Sequence, residues 1–170
     1  MKPRGFSLIE TVVYVALFGL ITIGVLRLVL GVSFNAAEIR SERRIASAGE
    51  LGLETLGREI RAASEVTLAS SVFGSSPGTL TLKTVTSPSD ATEVIRTFSL
   101  SSSRLTRQDA SGPEEFLTPA DVNITNLTFW HSATSTSEMV SFQVTIEAGQ
   151  GRAFESKTFY GSAVLRERYQ

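Results

Sequence analysis

Residues 4–30 read "RGFSLIETVVYVALFGLITIGVLRLVL", and the only ionisable side chains in the apolar stretch 6–30 are Glu10, Tyr14 and Arg27. A helix rises about 1.5 Å per residue, so this stretch would span roughly 37 Å, more than the ~30 Å hydrocarbon core of a bilayer. Length and composition together predict a membrane-crossing helix. Lys2 and Arg4 stand just before it, and the positive-inside tendency places the N-terminus in the cytoplasm and the rest of the chain outside. Arg27 would lie about 32 Å along the helix, where its long stem carries the guanidinium into the far headgroups. Glu10 sits only about one turn inside the near boundary, and an ionisable group there raises the question of which cation it meets. In the intact chain the nearest are Arg4 and Lys2. A cut between Gly5 and Phe6 would create another, a new amino group four residues before Glu10, one helical turn away.

"KPRGFSLIETVVYVALFGLI", residues 2–21, resembles the N-terminal signal of type IV prepilins and type II secretion pseudopilins. That signal is a short basic leader ending in Gly, then an aromatic residue, then an apolar helix with Glu as the fifth mature residue. The resemblance is tight over about the first 35 residues and architectural beyond them. It implies that Gly5 is the last leader residue, that prepilin peptidase cuts before Phe6, and that the same enzyme N-methylates Phe6. Lys2 and Arg4 would hold the leader in the cytoplasm, and Glu10 would neutralise the terminal amine of a neighbouring subunit in a helical filament. The implied partners are other pilin or pseudopilin subunits, prepilin peptidase, an inner-membrane assembly platform and the membrane itself. The implied location is the inner membrane, single pass, and then a periplasmic or cell-surface filament. One departure matters: many major pilins carry a helix-breaking Pro near the position of Arg27, and this chain has none between Pro3 and Pro77.

The helix should continue past the membrane to about Ala63. Val32, Ile39, Ala46, Leu53 and Ile60 recur every seven residues, with Gly49, Leu56 and Ala63 as a second row beside them. The intervening charges, Glu59 among them, read as a solvated face, with spacings such as Glu54 to Arg58 that permit i,i+4 pairs. A two-stranded coiled coil is the alternative for this seam, but Ala46 and Gly49 make a poor zipper.

From residue 65 onward the composition shifts to Ser, Thr, Gly and β-formers. Residues 70–78, "SSVFGSSPG", read as a loop and 79–86 as a strand. Residues 93–100 and 104–107 continue a meander, and a second loop surrounds "DASGPEE", residues 109–115. In "DVNITNLTFWH" the apolar parity changes between Ile124 and Leu127, which predicts a bulge at Thr125 and Asn126. The clearest strand is "MVSFQVTIE", where Val140, Phe142, Val144 and Ile146 alternate with polar residues. A return strand follows "AGQGR", with Phe154, Thr158, Tyr160 and Val164 expected on one face. An antiparallel sheet with one apolar face needs a cover, which the seam of the helix supplies. The expected fold is α+β: a leader (1–5), a transmembrane or filament-core helix (6–30), its amphipathic continuation (31–64) and an antiparallel β head (65–170).

The remaining residues argue mainly against other classes. A net charge of -1 supplies no basic field for nucleic acid, and none is expected as a partner. The chain has no cysteine and one histidine, which excludes disulfides, thiolate metal sites and multi-His sites. No G-x-S-x-G elbow or phosphate-binding glycine loop occurs, and the acidic residues have no calcium-loop spacing. His131 reads as a hydrogen-bonded or exposed histidine and Trp130 as core or edge packing. No enzymatic activity, cofactor or metal is expected. Three classes remain: a filament subunit, within which the late strands look like a minor (J-type) pseudopilin or minor pilin; an unprocessed single-pass anchor carrying an extracytoplasmic binding domain; and a secreted domain released by signal peptidase. The third is the weakest, because "FNAAE" at 34–38 follows an apolar run too long for a signal peptide.

Overall fold

The computed structural model describes residues 7–87, 90–110, 112–134 and 137–165. The architecture is α+β, a long N-terminal helix packed on a β head. Helix α1, Leu8–Ala62, has 55 residues and runs about 82 Å. With no proline in this span every backbone N–H after the first turn is available to the ladder, and the helix continues unbroken through Gly19, Gly24 and Gly31. It stops where Ala63 turns to extended backbone, its N–H still donating to the carbonyls of Glu59 and Ile60.

Eight strands follow: β1 (Glu65–Val66), β2 (Leu80–Ser87), β3 (Asp90–Ser101), β4 (Arg104–Asp109), β5 (Glu114–Phe116), β6 (Asn123–Ala133), β7 (Glu138–Ala148) and β8 (Glu155–Val164). They form two antiparallel sheets, β1-β2-β3-β4-β5 and β6-β7-β8. The expected bulge is present, since the β6–β7 register shifts between Ile124 and Asn126. Ser102 and Ser103, both left-handed with φ of 50° and 58°, make the tight turn between β3 and β4, and the Ser103 carbonyl accepts the Ile124 N–H from the other sheet.

Two expectations need correction. The strands divide into two sheets rather than one continuous meander. Residues 70–78 run as the expected loop, tied down by backbone bonds, with Gly74 and Gly78 N–H donating to the carbonyls of Phe129 and Leu127 at 2.8 and 2.7 Å, and with Val72 bridging Thr79. Residues 114–116, expected in a loop, pair with β4 as strand β5. On the return strand Phe154, Thr158, Tyr160 and Val164 share one face as expected, and it is the outer one: Phe159, Gly161 and Ala163 face inward. The reason is steric. The Phe142 ring occupies the space beside Gly161 so closely that a Cβ there would lie 2.4 Å from it, which fixes this register of β8 on β7.

The helical seam follows the second expected row, Gly49, Leu56 and Ala63, all buried, rather than the first. Val32, Ile39 and Ala46 are exposed, Leu53 is half-buried, and only Ile60 of that row is buried. The buried stripe is Ser41, Ile45, Ala48, Gly52, Leu56, Glu59 and Ala63, with Gly49 and Ile60 beside it. Its steps of four and three residues repeat every eleven, a period that drifts about 20° per eleven residues, slower than and opposite in sense to the roughly 20° per seven of a heptad row. The stripe lies mainly on β7 and β8 and also meets β2. There Ile45, Leu56 and Ile60 share one core with Leu80, Leu82, Phe98 and Leu105 of the first sheet and with Phe129, Phe142 and Ile146 of the second.

Candidate functional site

Of the residues read from sequence as functional, only Glu10 is among the described ones. Lys2, Arg4, Gly5 and Phe6 fall outside the described residues. Glu10 is in the first turn of the helix, exposed, with the Tyr14 hydroxyl donating to its Oε1 at 3.5 Å. Ser7 occupies the N-cap position but makes no side-chain capping bond, so the free amide N–H groups of the first turn form a partial positive charge next to Glu10.

From Leu8 to Val32 every large apolar side chain is at least half exposed. The helix contains one segment long and apolar enough to cross a membrane, with a mean hydropathy of 2.4 over its best window, and none of that window is covered by the other described residues. Its hydroxyls are satisfied within the helix: Thr11, Thr22 and Ser33 donate to the carbonyls of Ser7, Phe18 and Val29. That is the arrangement an apolar surrounding demands, since no water is available there to take up a stray donor.

The opposite end of α1 is fixed to the head. Gly49 lets the Phe159 ring of β8 approach until a Cβ would stand 2.6 Å from it. Glu59, expected on a solvated face, is instead 9% exposed and bridges to the first sheet. Arg96 of β3 donates to Glu59 at 2.5 Å and grips Asp109 of β4 with two bonds, at 2.7 and 3.1 Å. Arg107 of β4 lies 3.6 Å from the other Glu59 oxygen and also pairs with Glu115 of β5. The bidentate Arg96 fork holds the Asp109 carboxyl below its ordinary range, and Asp109, with Glu59, raises the guanidinium further above its own. No ion pair links Glu54 to Arg58 among the described residues. Nothing in the sequence separates Glu59 from the helix's other charges, because its partners come from strands 37 and more residues away.

The other residues weighed for chemistry are dispersed. His131 packs its ring 5.6 Å from that of Phe73, with Nε2 3.6 Å from a Glu138 oxygen, and no nucleophile is arranged against it. Asp109 and Asp121 serve Arg96 and Arg44. Among the described residues no three His, Cys, Asp or Glu side chains gather as metal ligands would. Trp130, expected in the core or at an edge, stands on the outer face of β6 and is 42% exposed. The chain matches no protein-family model, no curated protein and no solved structure.

Proposed function

We propose that the chain is a filament subunit of the type IV pilin and type II secretion pseudopilin class, of the minor kind, without enzymatic activity. In this reading it enters the inner membrane with the N-terminus in the cytoplasm and the head outside, and prepilin peptidase cuts between Gly5 and Phe6 and methylates Phe6. The assembly platform then moves it into a filament. The observation that carries this is the division of one unbroken helix: its first half is apolar all round and uncovered, and its second half is bound into the head. Such a helix needs a second apolar environment, which lipid supplies before assembly and neighbouring helices supply after it. Glu10 then acts as a registration device. A lone carboxylate in that environment costs several kcal/mol, and pairing with the Phe6 amine of an adjacent subunit removes most of the cost in one register only.

A second reading is an unprocessed single-pass anchor that presents a binding domain. Glu10 favours it to the extent that Tyr14 and the helix N-terminus already serve the carboxylate within one chain. The intact mass and N-terminal peptide of the protein from its native membrane or sheared surface fraction separate the two. An N-methylated Phe6 start supports the filament subunit, and an intact Met1 start supports the anchor.

A further inference from the structure

The outer face of the β6–β7–β8 sheet carries exposed side chains, Trp130, Met139, Tyr160 and Val164 among them. Its side chains stand in register: Trp130 beside Ser141 and Ser162, Thr128 beside Gln143 and Tyr160, and Met139 beside Val164. Tyr160 is 73% exposed, and Met139 and Val164 are also open to solvent. The four rows from Met139 to Thr145 contain no Asp, Glu, Lys, Arg or His on any of the three strands, and the first carboxylate, Glu147, stands one row beyond.

Two aromatic rings on a flat, hydroxyl- and amide-bearing, uncharged surface set the chemistry of what lies on it. The partner must offer apolar faces to the rings and hydroxyls to Gln143 and Ser141, and must itself be neutral, since a charged partner would lose hydration with no opposite charge to meet; Thr128, buried and bonded to Asn126, takes no part. From the pairing, the Cα atoms of Trp130 and Tyr160 are separated by two strand spacings and two residues along the strand, about 12 Å. That matches the distance from one sugar ring of an extended chain to the next but one. Three strands by four rows cover only roughly 300 Å2, well below the ~800 Å2 per partner that a stable protein interface uses, so a narrow ligand fits better than a second copy of the chain.

We propose that this face is a stacking platform for an extended, neutral polysaccharide of equatorially linked sugars, with Trp130 and Tyr160 supporting alternate rings through their axial C–H faces and Gln143 bonding the ring between them. A glycan platform on the head is independent of how the helix is used. Trp130 is the only tryptophan of the chain, so intrinsic fluorescence reports on the platform alone. The full chain, held in a zwitterionic detergent without sugar headgroups, is titrated with cellohexaose and with chitohexaose. The expected result is a saturable change in Trp130 emission with at least one of them. Tyr160→Ala should weaken that binding about tenfold with an unchanged unfolding midpoint, and Leu68→Ala, an exposed apolar residue outside this sheet, should leave it unchanged. The proposal is overturned if neither sugar gives a saturable change up to millimolar concentration, or if Leu68→Ala weakens binding as much as Tyr160→Ala. It is overturned equally if Tyr160→Ala leaves glycan binding intact and instead dissociates copies of the chain in sedimentation.

Discussion

The two halves of helix α1 are continuous in backbone and opposite in surroundings. Leu26 in the first half is 56% exposed and Leu56 in the second is fully buried, although the same residue type stands on the same helix. Hydrophobicity alone therefore does not show where a helix meets its own domain. The first half is bulky and apolar on every side, which suits a fluid or repeating environment. The second half meets the head through a narrow stripe containing Ala48, Gly49, Gly52 and Ala63, small residues that admit the rings and branches of the sheets.

Substitutions graded by expected size probe this contrast. Leu56→Ala should cost the head about 2–5 kcal/mol, because the side chain is wholly enclosed and leaves a cavity between helix and sheets. Chemical denaturation followed by circular dichroism measures it, and a loss below about 1 kcal/mol would mean that the helix is not part of the head's core. Glu59→Gln should cost about 2 kcal/mol by the same measurement, since Arg96 and Arg107 would lose the charge that joins them to the helix.

Acid should act more gently, through Asp109. Its folded value lies below the ordinary 3.8, held there by Arg96, so its contribution is complete above that value and disappears as pH falls through the lowered one. Asp109 is partly open to solvent, which screens the effect. Melting curves between about pH 5 and about pH 2 should therefore fall less steeply for Asp109→Asn than for the native chain. The smallest effect belongs to Leu26→Ala, expected within about 0.5 kcal/mol of native in head stability, because that side chain is 56% exposed among the described residues. A larger change would show that the apolar half folds back on the head.

What could be read from the sequence followed from strong periodic signals. The length of α1, the alternation of β7 and the bulge near Thr125 were all visible because each is a local pattern of apolar side chains. The seam was legible in part: the row Gly49, Leu56 and Ala63 is buried as read, while Ser41, Ala48 and Gly52 were not singled out, because closeness of approach by small residues leaves no hydrophobic signature. For β8 the shared face of Phe154, Thr158, Tyr160 and Val164 was legible but not that it is the outer one: Phe159 and Tyr160 are adjacent, and the choice between them rests on the Phe142 ring filling the place beside Gly161. Glu59 could not be singled out because Arg96 and Arg107 are distant in sequence. The leader motif around Gly5, Phe6 and Glu10 was legible as a motif, while its role depends on molecules other than this chain.

Assembly of a Glu10→Val chain tests the central claim most directly. The substitution removes the carboxylate from an exposed first turn and should leave processing at Phe6 and the melting of the head unchanged. Loss of a pairing worth more than about 1.4 kcal/mol should then reduce the chain recovered in the sheared surface fraction at least about tenfold against native, with the remainder held in the membrane. Recovery of the Glu10→Val chain in that fraction at the native level would contradict a registering role for Glu10.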